Sequence, residues 1–505
     1  MPLPHSQISL KSLLNSYLSG TGRGISGSVA VWAALSTPVV LAGATLSVDA
    51  ARIYNVDAEL QAAADSLSRA GAAELDQRGD AIPRSSGAIL NLLSHDQKFA
   101  RGDSNIEIDT ITFYDDIPDD GYSDIPEANR TNSSGKARYV EVSIKPRQVE
   151  TIFPSSFLQK LTDTTLSASA VAGMDQVVCG VAPVFICNPQ EGETTSIYEA
   201  METKAFQRKQ IKFKTPHATC EPYGQGNFGW LDPFGGNSGA SKLADAIAID
   251  ISPACLSQSK GVVLRSGNIN SMRHGVNTRF DIYKGSFKSK KNDPRYAPAQ
   301  NVVKGWAPKK ANKSCTEAPS NHALGLPRDA CFSKGGCSDG RVGDGNWHFS
   351  LYMAVNHPGF TRITIEDVTY RRKRNGYFTP STPPSRYAMY RWEIDNNCVP
   401  GSETYGNKAI TAEEGLPQCH TSGASTTVED RRIITAAVLN CGEIEANSPN
   451  GMFRRKDPLP VETFVKVFLT EPMGSGRNNT IYGEIVGPIV KGQDSEANDV
   501  VAVRR

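Results

Sequence analysis

Twenty-four consecutive uncharged residues, Ile25 to Val48, run without a break into a second pattern in which apolar residues recur every three or four positions. The first stretch would span about 36 Å as an α-helix, enough for one bilayer crossing. The second places Ile53, Val56, Leu60, Ala63, Leu67 and Ala70 on one stripe, with Asp49, Asp57, Glu59, Asp65 and Glu74 on the other faces. The spacing therefore predicts one helix of about 45 residues that crosses a membrane and projects beyond it. The projecting stripe needs a cover, and a sheet in the same chain is expected to supply it rather than a second coiled-coil strand.

Period-two alternation follows. Ile106–Tyr114 and Arg138–Ile144 alternate apolar and polar positions, and Thr165–Val171 is a weaker third strand. Farther on, Arg362–Tyr370, Arg386–Ile394, Ile433–Leu439 and Val461–Leu469 are strand candidates. The last two are almost continuously apolar, as buried central strands are. Long Gly, Pro and Asn-rich loops separate them, few helical periods are visible and no internal repeat stands out. The expected fold class is α+β: a long N-terminal transmembrane helix, a small antiparallel sheet domain and a larger disulfide-stapled β-rich domain. The expected divisions are 1–24 (cytoplasmic), 25–75 (membrane helix and extension), 76–175 (small sheet domain) and 176–505 (cysteine-containing domain), close to the three domains that 505 residues allow.

Charge sets the direction of the helix. Lys11 and Arg23 precede the run and no acidic residue occurs before Asp49, which favours a cytoplasmic N-terminus. The cysteines agree. All ten (Cys179, Cys187, Cys220, Cys255, Cys315, Cys331, Cys337, Cys398, Cys419 and Cys441) fall in the part placed outside, and no C-x-x-C pair suggests zinc or redox chemistry. Disulfides in an oxidising compartment are expected; Cys179 with Cys187, and Cys331 with Cys337, are near enough in sequence to staple local loops. The competing reading is a cleaved signal peptide, with a basic region ending at Arg23 and Ala42-Gly43-Ala44 as the cleavage site, followed by a secreted or periplasmic enzyme or binding protein. Within the run, Ala30 with Ala34 and Gly43 with Ser47 are small residues spaced four apart, which lets helices approach closely in lipid. Pro38 is expected to kink or loosen the helix.

The balance of 54 basic and 53 acidic residues gives no electrostatic case for a nucleic-acid partner. One local exception is Lys284–Lys313, with nine basic residues, a single acid at Asp293, and Phe287, Tyr296 and Trp306 interleaved. It suits an acidic partner or lipid headgroups, or is simply a solvated loop. Catalytic patterns are missing. Ser257 and Lys260 fit S-x-x-K without its companion motifs, and no nucleophile elbow, zinc-protease or phosphate-loop signature occurs. The acidic loop holding Asp115, Asp116, Asp119, Asp120 and Asp124 has Pro118 where a calcium loop needs a ligand. Arg-Gly-Asp triplets start at Arg78 and Arg101 and are short enough to arise by chance. No catalytic residue, metal site, cofactor or small-molecule substrate is expected.

Gly27, Val29-Ala30-Val31, Pro38, Asp49–Tyr54, Leu60-Gln61 and Ala64-Asp65 together resemble the TadE/TadG-like family of the tight-adherence (Flp) pilus system of bacteria. Three later segments, Gly226–Pro233 (GNFGWLDP), Asp430–Cys441 (DRRIITAAVLNC) and Val467–Pro472 (VFLTEP), look like the periplasmic part of TadG-type proteins. The resemblance implies a single-pass inner-membrane protein with its bulk in the periplasm and a pilin-like small domain, a hydrophobic N-terminal helix packed on an antiparallel sheet. It implies a structural role in assembling or anchoring Flp pili, or in adhesion, with other pilus-assembly membrane proteins as partners of the N-terminal helix. Family members processed as pseudopilins carry Glu five residues after the Gly; here that position is Trp32, so the resemblance does not extend to cleavage after Gly27. Asp250-Ile251-Ser252 is similar to the start of a von Willebrand A metal site, but Ala254 replaces its second serine.

Overall fold

The computed structural model describes residues 26–95, 106–118, 123–149, 165–192, 196–204, 206–214, 225–234, 239–249, 255–258, 260–265, 270–308, 317–319, 324–400, 404–405, 408–409, 415–420, 430–448, 458–474, 480–489 and 497–503. The fold is α+β, with several sheets and one long apolar helix at its N-terminal side.

Helix α1, Ser26–Ala72, is a single 47-residue α-helix with Pro38 inside it. Its two sequence patterns have two environments. From Val29 to Val48 the large apolar side chains stand open, Trp32 at 74% and Val39 at 71% exposure. These 20 positions cover about 30 Å, the thickness of a bilayer's hydrocarbon core. The hydroxyls in this stretch are all satisfied along the helix: Thr37 donates to Ala33 O (2.6 Å), Ser36 to Ala33 O (3.4 Å), Thr45 to Leu41 O (3.0 Å) and Ser47 to Gly43 O (2.7 Å). That leaves no side-chain hydroxyl of the stretch in search of water, as suits a lipid setting. At Asp49 the helix becomes covered on one side, and from Leu60 onward its stripe is buried.

The cover is a five-stranded antiparallel sheet. Its order is Ile108–Tyr114, Tyr139–Ile144, Ser169–Cys179, Ala497–Val503, with Cys255–Ser257 also paired to Ser169–Cys179. Val140, Val142 and Ile144 alternate toward the helix and meet Leu60, Ala64 and Leu67, while Val56 packs at the edge of the same cluster and Ile53 is half-buried. The sheet thus draws strands from three separate stretches of chain, and Ser169–Cys179 runs across residue 175. A second helix, α2 (Ala81–His95), closes against α1 at Gly71, where an added Cβ would lie 2.6 Å from Ile89 Cδ1. The turn between them is clamped by Arg84, which reaches Glu74 and Asp76 at 2.5 Å and Asp80 at 3.0 Å.

This arrangement predicts a sharp contrast. Leu67→Ala should lower the stability of the sheet module by about 2–3 kcal/mol, because Leu67 is 3% exposed and its loss leaves a cavity. Leu35→Ala, on the open stretch, should leave it unchanged. Chemical denaturation of the full chain in detergent micelles measures both; equal effects would refute the division of α1 into a lipid-facing and a sheet-facing part.

The larger sheet has seven strands in the order Leu264–Arg265, Phe228–Leu231, Val184–Cys187, Ile433–Leu439, Thr463–Leu469, Thr480–Pro488, Gln210–Lys214. Only Val184–Cys187 against Ile433–Leu439 is parallel. The two nearly continuous apolar runs lie side by side in the middle, buried on both faces. One face carries Ile434, Ala436, Val438, Val465 and Val467 under the helices Ala240–Ala248 and Asn270–Thr278; the other carries Ala437, Leu439 and Phe464.

Two strand expectations are corrected. Arg386–Ile394 is helical, within Arg386–Asp395. Its alternation also places Ala388, Met389 and Tyr390 inward on a helix, and Ser385 caps the start by accepting from Ala388 N at 3.0 Å. Arg362–Tyr370 is two strands, Arg362–Ile365 and Val368–Arg372, joined by Glu366 and Asp367 at φ 46° and 63°. Two consecutive left-handed residues make a tight hairpin, which neither residue type advertises as strongly as Asn-Gly would. The large domain also holds more short helices than the sequence periodicities suggest.

Candidate functional site

Three features carry chemistry: the open half of α1, the disulfides and a set of buried charges. On α1, Ala30, Ala34, Gly43 and Ser47 are all exposed, and a Cβ added at Gly43 would meet nothing within 4 Å. The two pairs lie on different sides of the helix, about 140° apart, and each leaves room for another helix to approach.

The cysteine pairing differs from the local loops expected. Cys179 bonds Cys255, directly opposite it across two antiparallel strands, and Cys187 bonds Cys441, so no Cys179–Cys187 loop forms. Sequence distance misled here because strand pairing, which brings Cys179 and Cys255 together, is non-local. Cys331 does bond Cys337. Cys220 and Cys315 lie outside the described residues. Cys398 and Cys419 are half-buried, and Cys398 Sγ lies 3.2 Å from Asn396 O as a weak donor. Glu191 sits within 4.8 Å of the Cys187 and Cys441 sulfurs, a grouping that would suit a metal if both sulfurs were not bonded to each other. Its carboxylate instead accepts the amides of Cys441 (2.6 Å) and Gly442 (3.0 Å) at the start of the helix Cys441–Ala446. Burial nevertheless pushes the Glu191 carboxyl up to about 7, against those two amides.

The buried charges went unnoticed in the sequence. Arg386 is fully buried; its guanidinium reaches Asp329 Oδ1 at 2.5 Å and Glu484 Oε1 at 2.6 Å, and its Nε donates to Pro327 O at 2.7 Å. Asp329 Oδ2 accepts the amides of Gln210 (3.1 Å) and Gly345 (2.9 Å), and Glu484 Oε2 accepts those of Arg386 (2.8 Å) and Tyr387 (3.2 Å). Burial raises the Glu484 carboxyl above its ordinary value although Arg386 pulls it down. Nearby, Glu393 accepts from Asn301 Nδ2 and Tyr352 OH, both at 2.5 Å, and lies 2.8 Å from His357 Nε2. Arg431 and Arg432 are also fully buried. They donate to main-chain oxygens of Ala297, Ala248, Leu469 and Thr470. Every one of these groups is spent on structural hydrogen bonds. The arrangement locks loops and helices onto the large sheet. One signal was available: the Asp430-Arg431-Arg432 triplet stands directly before the most apolar strand, where charges are costly unless they bond the backbone.

The other sequence candidates are likewise accounted for. Ser257 donates to Asp175 Oδ2 at 2.7 Å and accepts the Lys260 amide at 3.0 Å, a turn rather than an S-x-x-K site. Arg78 of the first Arg-Gly-Asp triplet is tied to Glu202 (3.4 Å) and Asp76 (3.5 Å). The second triplet begins outside the described residues, as do Asp119 and Asp120 of the acidic loop and the stretch Asp250–Ala254. The segments Gly226–Pro233, Asp430–Cys441 and Val467–Pro472 converge on the large sheet, supplying its strands Phe228–Leu231, Ile433–Leu439 and part of Thr463–Leu469.

Comparison with known proteins gives one match and two blanks. No curated protein and no solved structure matches the chain. The match covers α1 and two residues beyond it, the same stretch whose apolar run and stripe carry the resemblance read from the sequence. Residues 27–74 match the family described as putative Flp pilus-assembly TadE/G-like.

Proposed function

We propose that the protein is a structural, membrane-anchored component of Flp pilus assembly or adhesion, of the TadG type, held in the bacterial inner membrane by α1 with its N-terminus in the cytoplasm and its bulk in the periplasm. The observation that carries this is the coincidence of the TadE/G-like match with a helix that is open over one bilayer thickness and seated on its own sheet beyond that. Lys11 and Arg23 support the orientation, and the disulfides support an oxidising compartment for the large domain. The buried charges support a structural rather than a catalytic role, since each is consumed by internal bonds. In this reading the open half of α1 meets the helices of other pilus-assembly proteins through Ala30, Ala34, Gly43 and Ser47.

The test is genetic and biochemical together. Deleting the coding sequence should abolish or strongly reduce Flp pili counted by electron microscopy, and the intact chain should restore them. The Gly43→Leu/Ser47→Leu variant should reach the membrane at normal levels yet lose co-purifying membrane partners. Unchanged piliation after deletion would overturn the role, and unchanged partners in the double variant would overturn the helix contact. A mature protein beginning at Thr45 in the soluble fraction would replace the anchor with a cleaved signal.

A further inference from the structure

The basic stretch that begins at Lys284 builds a cleft in the large domain, remote in function from the membrane helix and independent of the pilus reading. Asp281 and Gly285 both adopt left-handed backbone conformations, φ 61° and 60°. They bracket a tight bend from which an eight-residue 3-10 helix, Gly285–Asn292, departs. A Cβ at Gly285 would fall 2.5 Å from His274 Nδ1, so the bend needs glycine there. The 3-10 helix repeats every three residues, which sets Lys288 and Lys291 on one face. Phe287, 1% exposed, pins the opposite side into the core, and Lys290 turns away over the Tyr296 ring at 5.0 Å.

The result is a cavity of about 320 Å³ lined by Lys284, Lys288, Lys291, Tyr283, Trp306 and the strap residue Cys419. Its floor includes one acid, Asp281. That carboxylate is already saturated: it accepts the amides of Gln418 and Cys419 at 2.6 Å and of His420 at 2.9 Å. It fixes the strap through these bonds and keeps its own charge, so it offsets one lysine and leaves the lining with an excess of positive charge. Among the described residues neither Lys284 nor Lys288 has an ion-pair partner. His274 reports the same field: burial first, then Arg273 and Lys284, hold its imidazole below the ordinary value. Three lysines against one carboxylate give the cavity an excess of positive charge that favours an anionic ligand.

The shape narrows the anion. The volume is at the small end for ligand sites, with room for a ring and its substituents but not for a folded partner. Trp306 offers a flat, amphipathic wall; Tyr283 beside it is held in place by its hydroxyl, which donates to Tyr296 O at 2.7 Å, and by its ring contact with His420 at 6.0 Å. An Asp or Glu side chain of a peptide has no flat apolar face to set against such a wall, whereas the C–H face of a sugar ring does. We propose that this cleft binds an acidic sugar, a ring bearing a carboxylate or a phosphate, as found in anionic envelope or surface polysaccharides. The lysines answer the charge and Trp306 stacks on the ring.

The test is isothermal titration of the full chain in neutral detergent micelles with trigalacturonate. Maltotriose, hexaglutamate and inorganic phosphate serve as comparators. Trigalacturonate should bind saturably, and more weakly as salt rises. Lys284→Gln/Lys288→Gln should weaken it by about tenfold or more, as expected for lost charge-assisted contacts, while leaving the melting temperature unchanged because both side chains are exposed. Trp306→Phe should weaken it less, by retaining part of the wall. Maltotriose binding as tightly would remove the charge from the proposal. Phosphate binding as tightly would reduce the site to a bare anion hole, and hexaglutamate binding as tightly would make it a peptide site; either overturns the assignment. So would the absence of any trigalacturonate binding to chain that melts normally.

Discussion

Arg386→Met should destabilise the large domain by about 3–5 kcal/mol, the cost of leaving buried charge without its partner. Arg386, Asp329 and Glu484 have side chains at most 2% exposed, and one guanidinium serves both carboxylates. Methionine fills much of the arginine's volume, so the loss is electrostatic more than steric. The sign with pH follows from the carboxyls. Glu484 is already raised by burial with Arg386 present, and removing the cation raises it further. A carboxyl whose folded value lies above its unfolded one favours folding when protonated and loses that contribution as pH rises past about 4.5. The deficit of Arg386→Met relative to the parent should therefore be smaller at pH 5 than at pH 8. Adding Asp329→Asn and Glu484→Gln should recover part of it at pH 8. Urea denaturation across this range decides the matter; a deficit independent of pH would mean that packing around Trp347, whose ring lies 5.3 Å from the guanidinium, is the real loss.

Removing the Cys187–Cys441 bond should be of comparable size, and much more damaging than removing Cys331–Cys337. The first closes a loop of 254 residues and the second a loop of 6. In the chain-entropy treatment the two contribute about 5 and about 2 kcal/mol. Burial adds to the contrast, because Cys187 and Cys441 are fully inside the cluster formed with Phe185, Leu439 and Phe464, whereas Cys331–Cys337 staples a peripheral turn. Urea midpoints of Cys187→Ala/Cys441→Ala and Cys331→Ala/Cys337→Ala, compared under non-reducing conditions, should separate clearly. Equal midpoints would show that the long loop is already held by the strand pairing of Val184–Cys187 with Ile433–Leu439.

What the sequence disclosed depended on how local the governing interaction is. The helix from Ser26 to Ala72 was legible because it has two uninterrupted periodicities and one register. Ile433–Leu439 and Thr463–Leu469 were legible as central strands because burial on both faces admits only apolar residues. The hairpin at Glu366-Asp367 was hidden by a turn made from residues that do not favour left-handed geometry. Arg386–Asp395 read as a strand because alternation over nine residues fits both periods, and what decides it is a serine cap and a buried ion pair to residues 57 and 98 positions away. The pairings Cys179–Cys255 and Cys187–Cys441 and the Arg386 cluster are long-range consequences of sheet order, which no spacing encodes, whereas the local Cys331–Cys337 loop was legible. The lysine stretch was visible as composition, but its collection around one cavity came from a 3-10 period and two left-handed residues.

The sheet that seats α1 has a bearing on how the protein is made. Residues Ala172–Val178 of its central strand pair with Ala497–Val503, more than three hundred positions later. During synthesis α1 emerges long before this partner strand, so the platform beneath its outer half lacks a strand until the large domain's residues have followed. Contacts this distant form late and leave an open strand edge meanwhile. An interrupted chain would thus carry the long helix above an unfinished platform, a state that proteases and chaperones can tell from the finished product.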